Sequence, residues 1–187
     1  MNKDLRELIY RDHRFENRIA YLKKYFLYPE IELACKYRKA SFYTKSNNKL
    51  LKYCWLLRWR SIRKYEQCQI SLNATIGAGM RFVHVGPRVI TAHVKIGIDC
   101  MIGINVIIGY GYSYAKQEWG EPIIGDRVYI GHNTSIVGSI KIGNDVLIAP
   151  NAFVNRDVPD NCIVIGNNIH VPKEKPTMPY INDLLAK

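Results

Sequence analysis

The chain has 187 residues, 48% of them hydrophobic and 23% charged, a balance that buries a core and excludes a disordered or fibrous protein. The net charge is +11 and sits at one end: residues 1–69 hold 17 Lys and Arg against 7 Asp and Glu, while residues 70–187 are close to neutral. No apolar run approaches the roughly 20 residues that cross a bilayer and the opening MNKDLRELIYRDHRFENR is too charged for a signal peptide, so a cytoplasmic location is expected.

The first third reads as helical. DLRELIYRDHRFENRIAYLKKYF places Leu5, Leu8, Ile9, Phe15, Ile19 and Leu22 near a 3.6-residue period, which predicts an amphipathic helix ending before Pro29. A second helix is expected over Glu30 to about Tyr43 and a third over Lys49–Tyr65, with Ser46, Asn47 and Asn48 as cap and turn. The third, LLKYCWLLRWRSIRKY, interleaves Trp55, Trp59 and four leucines with five cations. That composition suits either a helix lying on an anionic membrane surface or one packed on its own domain or on a partner subunit. No helix-turn-helix, zinc or RNP signature accompanies the charge, so nucleic acid is not an expected partner.

From residue 69 the pattern changes to a period of six. Ile70, Ile76, Phe82, then Ile90, Ile96, Ile102, Ile108, then Ile124, Ile130, Ile136, Ile142, Ile148 and Val154 share one register. A small or β-branched residue tends to follow four places on, as at Ala74, Val94, Cys100, Val106, Val128, Thr134, Val146 and Ala152. An α-helix would scatter such a set around its axis, whereas short strands joined by tight turns return every sixth residue to one inward station. Three units per coil make a triangular prism, a parallel β-helix. The step lengthens from six to eight between Phe82 and Ile90, around His84, and to sixteen between Ile108 and Ile124, so residues near 114–123 are expected to project as a loop. These two slips mark the candidate site. The division is a basic helical leader over residues 1–68, a β-helix domain over 69–171 and a tail over 172–187. The five cysteines, Cys35, Cys54, Cys68, Cys100 and Cys162, are scattered without a CxxC and read as reduced thiols; no metal site is expected.

The run GAGMRFVHVGPRVITAHVKIGIDCMIGINVIIGYG, followed by EPIIGDRVYIGHNTSIVGSIKIGNDVLIAPNAFVNRDVPDNCIVIGN, resembles the serine acetyltransferase branch of the hexapeptide acyltransferases, and is most similar to members found with capsule and exopolysaccharide biosynthesis. The resemblance implies a left-handed parallel β-helix, acetyl-CoA as donor in a groove between subunits, and a homotrimer. It carries the family's G-x-G-x-x-x-x-H segment onto Gly77, Gly79 and His84, making His84 the implied general base, a role suited to an imidazole titrating near neutrality. Where serine enzymes place an acidic residue fifteen positions earlier, this chain has Gln69; where they place a second histidine before a proline, it has Glu121 before Pro122. Glu121 is therefore a candidate to orient His84 or to bind a sugar hydroxyl. Gly111 matches a glycine beside the thioester, His132 and Pro150 fall at positions lining the pantetheine slot, and Trp119 is a candidate wall of the acceptor site. The expected activity is O-acetylation of a sugar hydroxyl on a glycan precursor, with serine O-acetylation and a non-catalytic scaffold as alternatives. If that acceptor is lipid-linked, the basic leader would hold the enzyme at the inner face of the membrane.

Overall fold

The computed structural model describes residues 3–13, 18–65 and 67–170. Its element order is α1 (Lys3–His13), α2 (Arg18–Leu27), α3 (Pro29–Tyr43) and α4 (Lys49–Tyr65), then a solenoid of short strands. The first expected helix corresponds to α1 and α2, with residues 14–17, including Phe15, outside the described residues. Pro29 opens α3, because its fixed φ and missing N–H suit the first turn of a helix. The Asn48 side chain accepts from the Leu51 N–H at 3.1 Å and so caps α4, as its place in the turn predicts. The tail over 172–187 lies outside the described residues.

The solenoid climbs in coils of three strands. Coil one is β1 (Cys68–Ile70), β2 (Thr75–Ile76) and β3 (Arg81–Phe82); coil two is β4 (Arg88–Ile90), β5 (Lys95–Ile96) and β6 (Met101–Ile102). Coil three begins with β7 (Val106–Gly109), throws out a hairpin, β8 (Gly111–Ser113) and β9 (Glu118–Gly120), and resumes with β10 (Ile123–Ile124) and β11 (Tyr129–Ile130). Coil four is β12 (Ser135–Val137), β13 (Lys141–Ile142) and β14 (Leu147–Ile148). The last has β15 (Phe153–Val154), β16 (Ile163–Ile165) and β17 (Asn168–His170), which folds back antiparallel on β16.

Every coil-to-coil pairing is parallel and in register, so Ile70, Ile90, Ile108, Ile136 and Val154 form one inward ladder. Ile76, Ile96, Ile124 and Ile142 form a second, and Phe82, Ile102, Ile130 and Ile148 a third. All thirteen positions of the six-residue register are buried. The sixteen-residue step is a regular antiparallel hairpin rather than an open loop, with Tyr112 opposite Trp119.

The leader is the end cap of this prism. Backbone N–H groups of each coil donate to carbonyls of the next, as Gly77 does to Ile96, so carbonyls of coil one meet no earlier coil. Helix α3 supplies the donors: Arg38 Nη1 donates to the Ile76 carbonyl at 2.7 Å, Arg38 Nη2 to that of Gly77, and the Tyr37 hydroxyl to that of Ser71 at 3.4 Å. Arg38 is held by a bidentate pair with Asp12 of α1, and Asp12 Oδ1 also accepts from the Gly79 and Met80 N–H groups at 2.8 and 3.2 Å. Burial pushes the Asp12 carboxyl up, and Arg38 and the two amides oppose it. Leu33, Ala34, Tyr37, Ala40, Trp59 and Ile62 join the same apolar core as the coil-one ladder, so leader and β-helix share one interior.

Of the two expectations for α4, packing on its own domain describes its tryptophans. Trp59 is buried against Tyr37, with ring centroids 5.6 Å apart, and Trp55 stacks on Tyr43 at 5.3 Å. The apolar side chains left exposed on α2 and α4 include Ile19, Phe26, Leu27, Leu50 and Leu57. No helix among the described residues is long and apolar enough to cross a membrane. Four of the five cysteines are buried and all five are free; burial pushes the Cys35 and Cys100 thiols up to about 12, which keeps them unreactive.

Candidate active site

The prism has three edges; the sequence-selected residues divide between two of them, except Gln69, which lies on a face. His84 lies on the edge between the third strand of one coil and the first strand of the next. The same edge carries Gly103, Ile104 and Asn105 in coil two, His132 and Asn133 in coil three and Pro150 and Asn151 in coil four. Its repeating turn residue adopts a left-handed φ, which asparagine tolerates: Asn105, Asn133 and Asn151 have φ of 55°, 59° and 62°. Their amides stack, Asn105 donating to Asn133 at 2.9 Å and Asn133 to Asn151 at 3.2 Å. His84 also takes this conformation, with φ 63°, and is exposed. A histidine held there marks a strained corner.

The structure brings His84 and His132 together, their rings stacked at 25° with centroids 5.8 Å apart. His132 Nδ1 accepts from the Ile104 N–H at 3.0 Å, which leaves the proton of the neutral ring on Nε2. Gly103 is required by this arrangement, because a Cβ there would stand 2.8 Å from His132 Nδ1 and 2.9 Å from the His132 backbone nitrogen. The implied base and the two residues matched to the pantetheine slot, His132 and Pro150, thus share one edge.

Glu121, Trp119 and Gly111 stand on another edge. Glu121 Oε2 accepts from the His93 backbone N–H at 2.5 Å, one coil away. Within one chain it does not meet His84. Trp119, 63% exposed, stacks on Tyr110 at 5.4 Å and 13° and meets Tyr112 edge-on at 5.5 Å, so the hairpin presents an aromatic surface rather than a single ring. Lys116 Nζ fixes the hairpin by donating to the Ser139 carbonyl and to Asp157 Oδ1, both at 2.9 Å, and Glu118 Oε1 accepts from the Ser139 hydroxyl at 2.6 Å. Gly111 packs against the backbone of Gly138, where a Cβ would lie 2.9 Å from the nitrogen. Gln69 is exposed on the outer side of β1, beside α4. Among the described residues no group of three His, Cys, Asp or Glu is placed to hold a metal ion.

Residues 121–156 match the family model for the bacterial transferase hexapeptide (six repeats). That stretch of the solenoid therefore carries the hexapeptide repeat of bacterial transferases. It is similar to a putative acetyltransferase, YvoF, of Bacillus subtilis (36% identical over 84 residues, 41% of this chain and 49% of that one). It is also similar to the bifunctional protein GlmU of Streptococcus pyogenes serotype M5 (30% over 94 residues, 49% of this chain and 20% of that one). The hexapeptide-repeat chain thus spans half or less of the length of these relatives. Among solved structures it is similar to the serine acetyltransferase CysE of Neisseria gonorrhoeae (TM-score 0.74, 23% identical, covering 97% of this chain and 71% of that one). It is likewise similar to the soybean serine acetyltransferase apoenzyme (TM-score 0.72, 24% identical, 91% and 70%). These likenesses establish the fold as a left-handed parallel β-helix with N-terminal helices.

The sequence reading missed Arg88. It is buried at 1% exposure on the inward side of β4, lies over the Phe82 ring at 4.9 Å, and donates to the carbonyls of Gly86 (3.0 Å), Val83 (2.7 Å) and His84 (2.6 Å). Burial lowers its pKa to about 10, so it stays charged at neutral pH. The eight-residue step leaves these corner carbonyls without a partner coil, and one guanidinium fork takes over. The sequence signal was an arginine two places before Ile90, at an inward position of the hexapeptide-repeat chain.

Proposed function

We propose that this protein is an acetyl-CoA-dependent O-acetyltransferase acting on a sugar hydroxyl of a glycan precursor, with His84 as general base. The observation that carries the reading is the edge on which His84, in a left-handed corner, stacks beside His132 and shares the line of Pro150. An imidazole nitrogen of His84 takes the proton of the acceptor hydroxyl as its oxygen attacks the thioester carbonyl. The tetrahedral intermediate collapses with loss of the CoA thiolate, which recovers that proton from the imidazolium. His132, with its Nε2–H, is the donor beside the base and is positioned to meet negative charge developing on the carbonyl oxygen.

A sugar acceptor is supported by the exposed stack of Tyr110, Tyr112 and Trp119, since flat aromatic faces suit the apolar faces of pyranose rings. Gln69 and Glu121 are its polar partners in this reading. Because the hairpin and His84 occupy different edges of one prism, a site that uses both takes the base from one subunit and the hairpin from the next. A homotrimer answers that need. It is supported by the outer side of the first sheet, where Ile107 and Phe153, 44% and 45% exposed, flank Ser135 in one row.

The test is thiol release from acetyl-CoA against a panel containing serine and hydroxylated sugars, for the native chain and His84→Ala. Sugar-dependent release that falls roughly 100- to 10,000-fold in His84→Ala is expected. Robust O-acetylserine formation would move the assignment to a serine enzyme. Absence of release with every acceptor would favour a scaffold.

A further inference from the structure

We infer that the cleft between α4 and the first two coils is a binding site for a phosphate-bearing, hydroxylated ligand, the phosphorylated end of the acceptor. This rests on the acceptor reading above for the ligand's role, while the cleft itself stands on independent observations. It measures about 1040 Å³ and is bordered by Arg60, Arg63 and Lys64 of α4 on one side and by Gln69 and Thr91 of the first sheet on the other. Helix α4 holds six cations and no acidic residue. Among the described residues, none of the three cleft cations has an anionic partner.

Two further groups lack partners at the same place. The indole Nε1 of Trp59, a residue 3% exposed, and the Thr91 hydroxyl are buried atoms without a hydrogen bond, and both residues line the cleft. Leaving such groups unsatisfied is costly, so their natural complement is a ligand with acceptor oxygens. Three cations exceed what one monovalent carboxylate balances, whereas a phosphoryl group brings up to two charges and three acceptor oxygens to a fork of donors.

The cleft also lies where an acceptor needs it. Thr91 packs beneath Gly109, whose Cβ would stand 3.0 Å from Thr91 Cγ2, and His93, two residues on, donates its N–H to Glu121 at the base of the hairpin. Cleft and hairpin therefore lie along one edge of the prism, with Thr91 and His93 between them.

The experiment is isothermal titration of the full chain with glucose 1-phosphate, glucose and inorganic phosphate at low and high salt, alongside acetyl-CoA. The variants are Arg60→Gln/Arg63→Gln, on exposed positions, and Trp59→Phe, which removes only the indole N–H donor and ring bulk. Expected are binding of the sugar phosphate, weaker binding of phosphate, none of glucose, weakening by salt, and a loss of about tenfold or more in the double variant with acetyl-CoA affinity unchanged. Trp59→Phe, which also opens a cavity against Tyr37, is titrated well below its melting temperature and is expected to weaken the sugar phosphate there. Sugar-phosphate affinity equal in the native chain and double variant, or no binding at all, overturns the inference even where acetyl-CoA turnover supports the enzyme. Co-sedimentation with phosphatidylglycerol vesicles that depends on Arg60 and Arg63, without sugar-phosphate binding, also overturns it and assigns the cations to a membrane surface.

Discussion

Arg88→Met tests whether one buried guanidinium holds the His84 corner. Methionine keeps much of the length and the contact over Phe82 but removes the donors to Val83, His84 and Gly86. Each orphaned, part-buried carbonyl costs about 1–3 kcal/mol, while burial of the charge, which lowers the Arg88 pKa, returns part of that, so a net loss of about 2–5 kcal/mol is expected. At roughly 2–4 °C per kcal/mol for a domain of this size, the melting temperature falls by about 5–15 °C. The consequence for function is larger than that for folding. His84 sits at φ 63°, the left-handed conformation of the repeating turns, and its carbonyl is held at 2.6 Å. If His84 is the base, as proposed, its misplacement by about 1 Å costs about 100-fold in turnover. The assay pairs thermal melts with CoA release at a temperature where the variant is folded. Arg88 acts through His84, so kcat falls while KM for acetyl-CoA holds, and added guanidinium restores part of the rate. A variant that melts within 1 °C of the native protein or turns over at the native rate refutes this account.

Removal of the end cap is expected to be equally costly. Asp12→Ala leaves Arg38 charged and buried and orphans the Gly79 and Met80 amides, a loss of about 3–5 kcal/mol readable by urea denaturation. The hairpin should loosen in acid. Burial raises the Asp157 carboxyl, but the bonds from Lys116 and the Lys141 N–H outweigh it and hold it below the usual value. The contribution is thus present above the unfolded pKa of about 3.9 and is lost as pH falls through the lowered one, and the Trp119 indole resonance should shift in that window but not in Lys116→Met. Light scattering under assay conditions should return three times the chain mass; a monomer that turns over refutes the shared site. Activity should survive exhaustive chelation, since thioester transfer to a hydroxyl has no step that calls for a metal, and loss rescued by a single metal ion refutes that expectation.

The solenoid was legible because its code is local and repetitive. A β-branched residue at every sixth position, with a turn between, has one way to bury all of its apolar side chains, and the thirteen register positions are those that line the interior. The two slips map to the His84 corner and to the hairpin for the same reason, since an insertion in a stack has nowhere to go but outward. What the linear order could not supply is which distant residues meet. Asp12 accepts from amides and Arg38 donates to carbonyls of a coil about 40 or more residues away, and His132 reaches His84 across 48 positions because two coils bring equivalent corners together. The six-residue register predicts that equivalence only once the lengths of both slips are known. Trp55 and Trp59 suited either a membrane surface or internal packing, because amphipathic composition does not say which partner covers a face; packing against Tyr43 and Tyr37 decided that. Sequence determined the repeat and its interruptions because those are set by near neighbours. Tertiary structure decided the end cap, the His84 clamp and the separation of Glu121 from His84, because each depends on which polar groups the folded prism leaves unsatisfied.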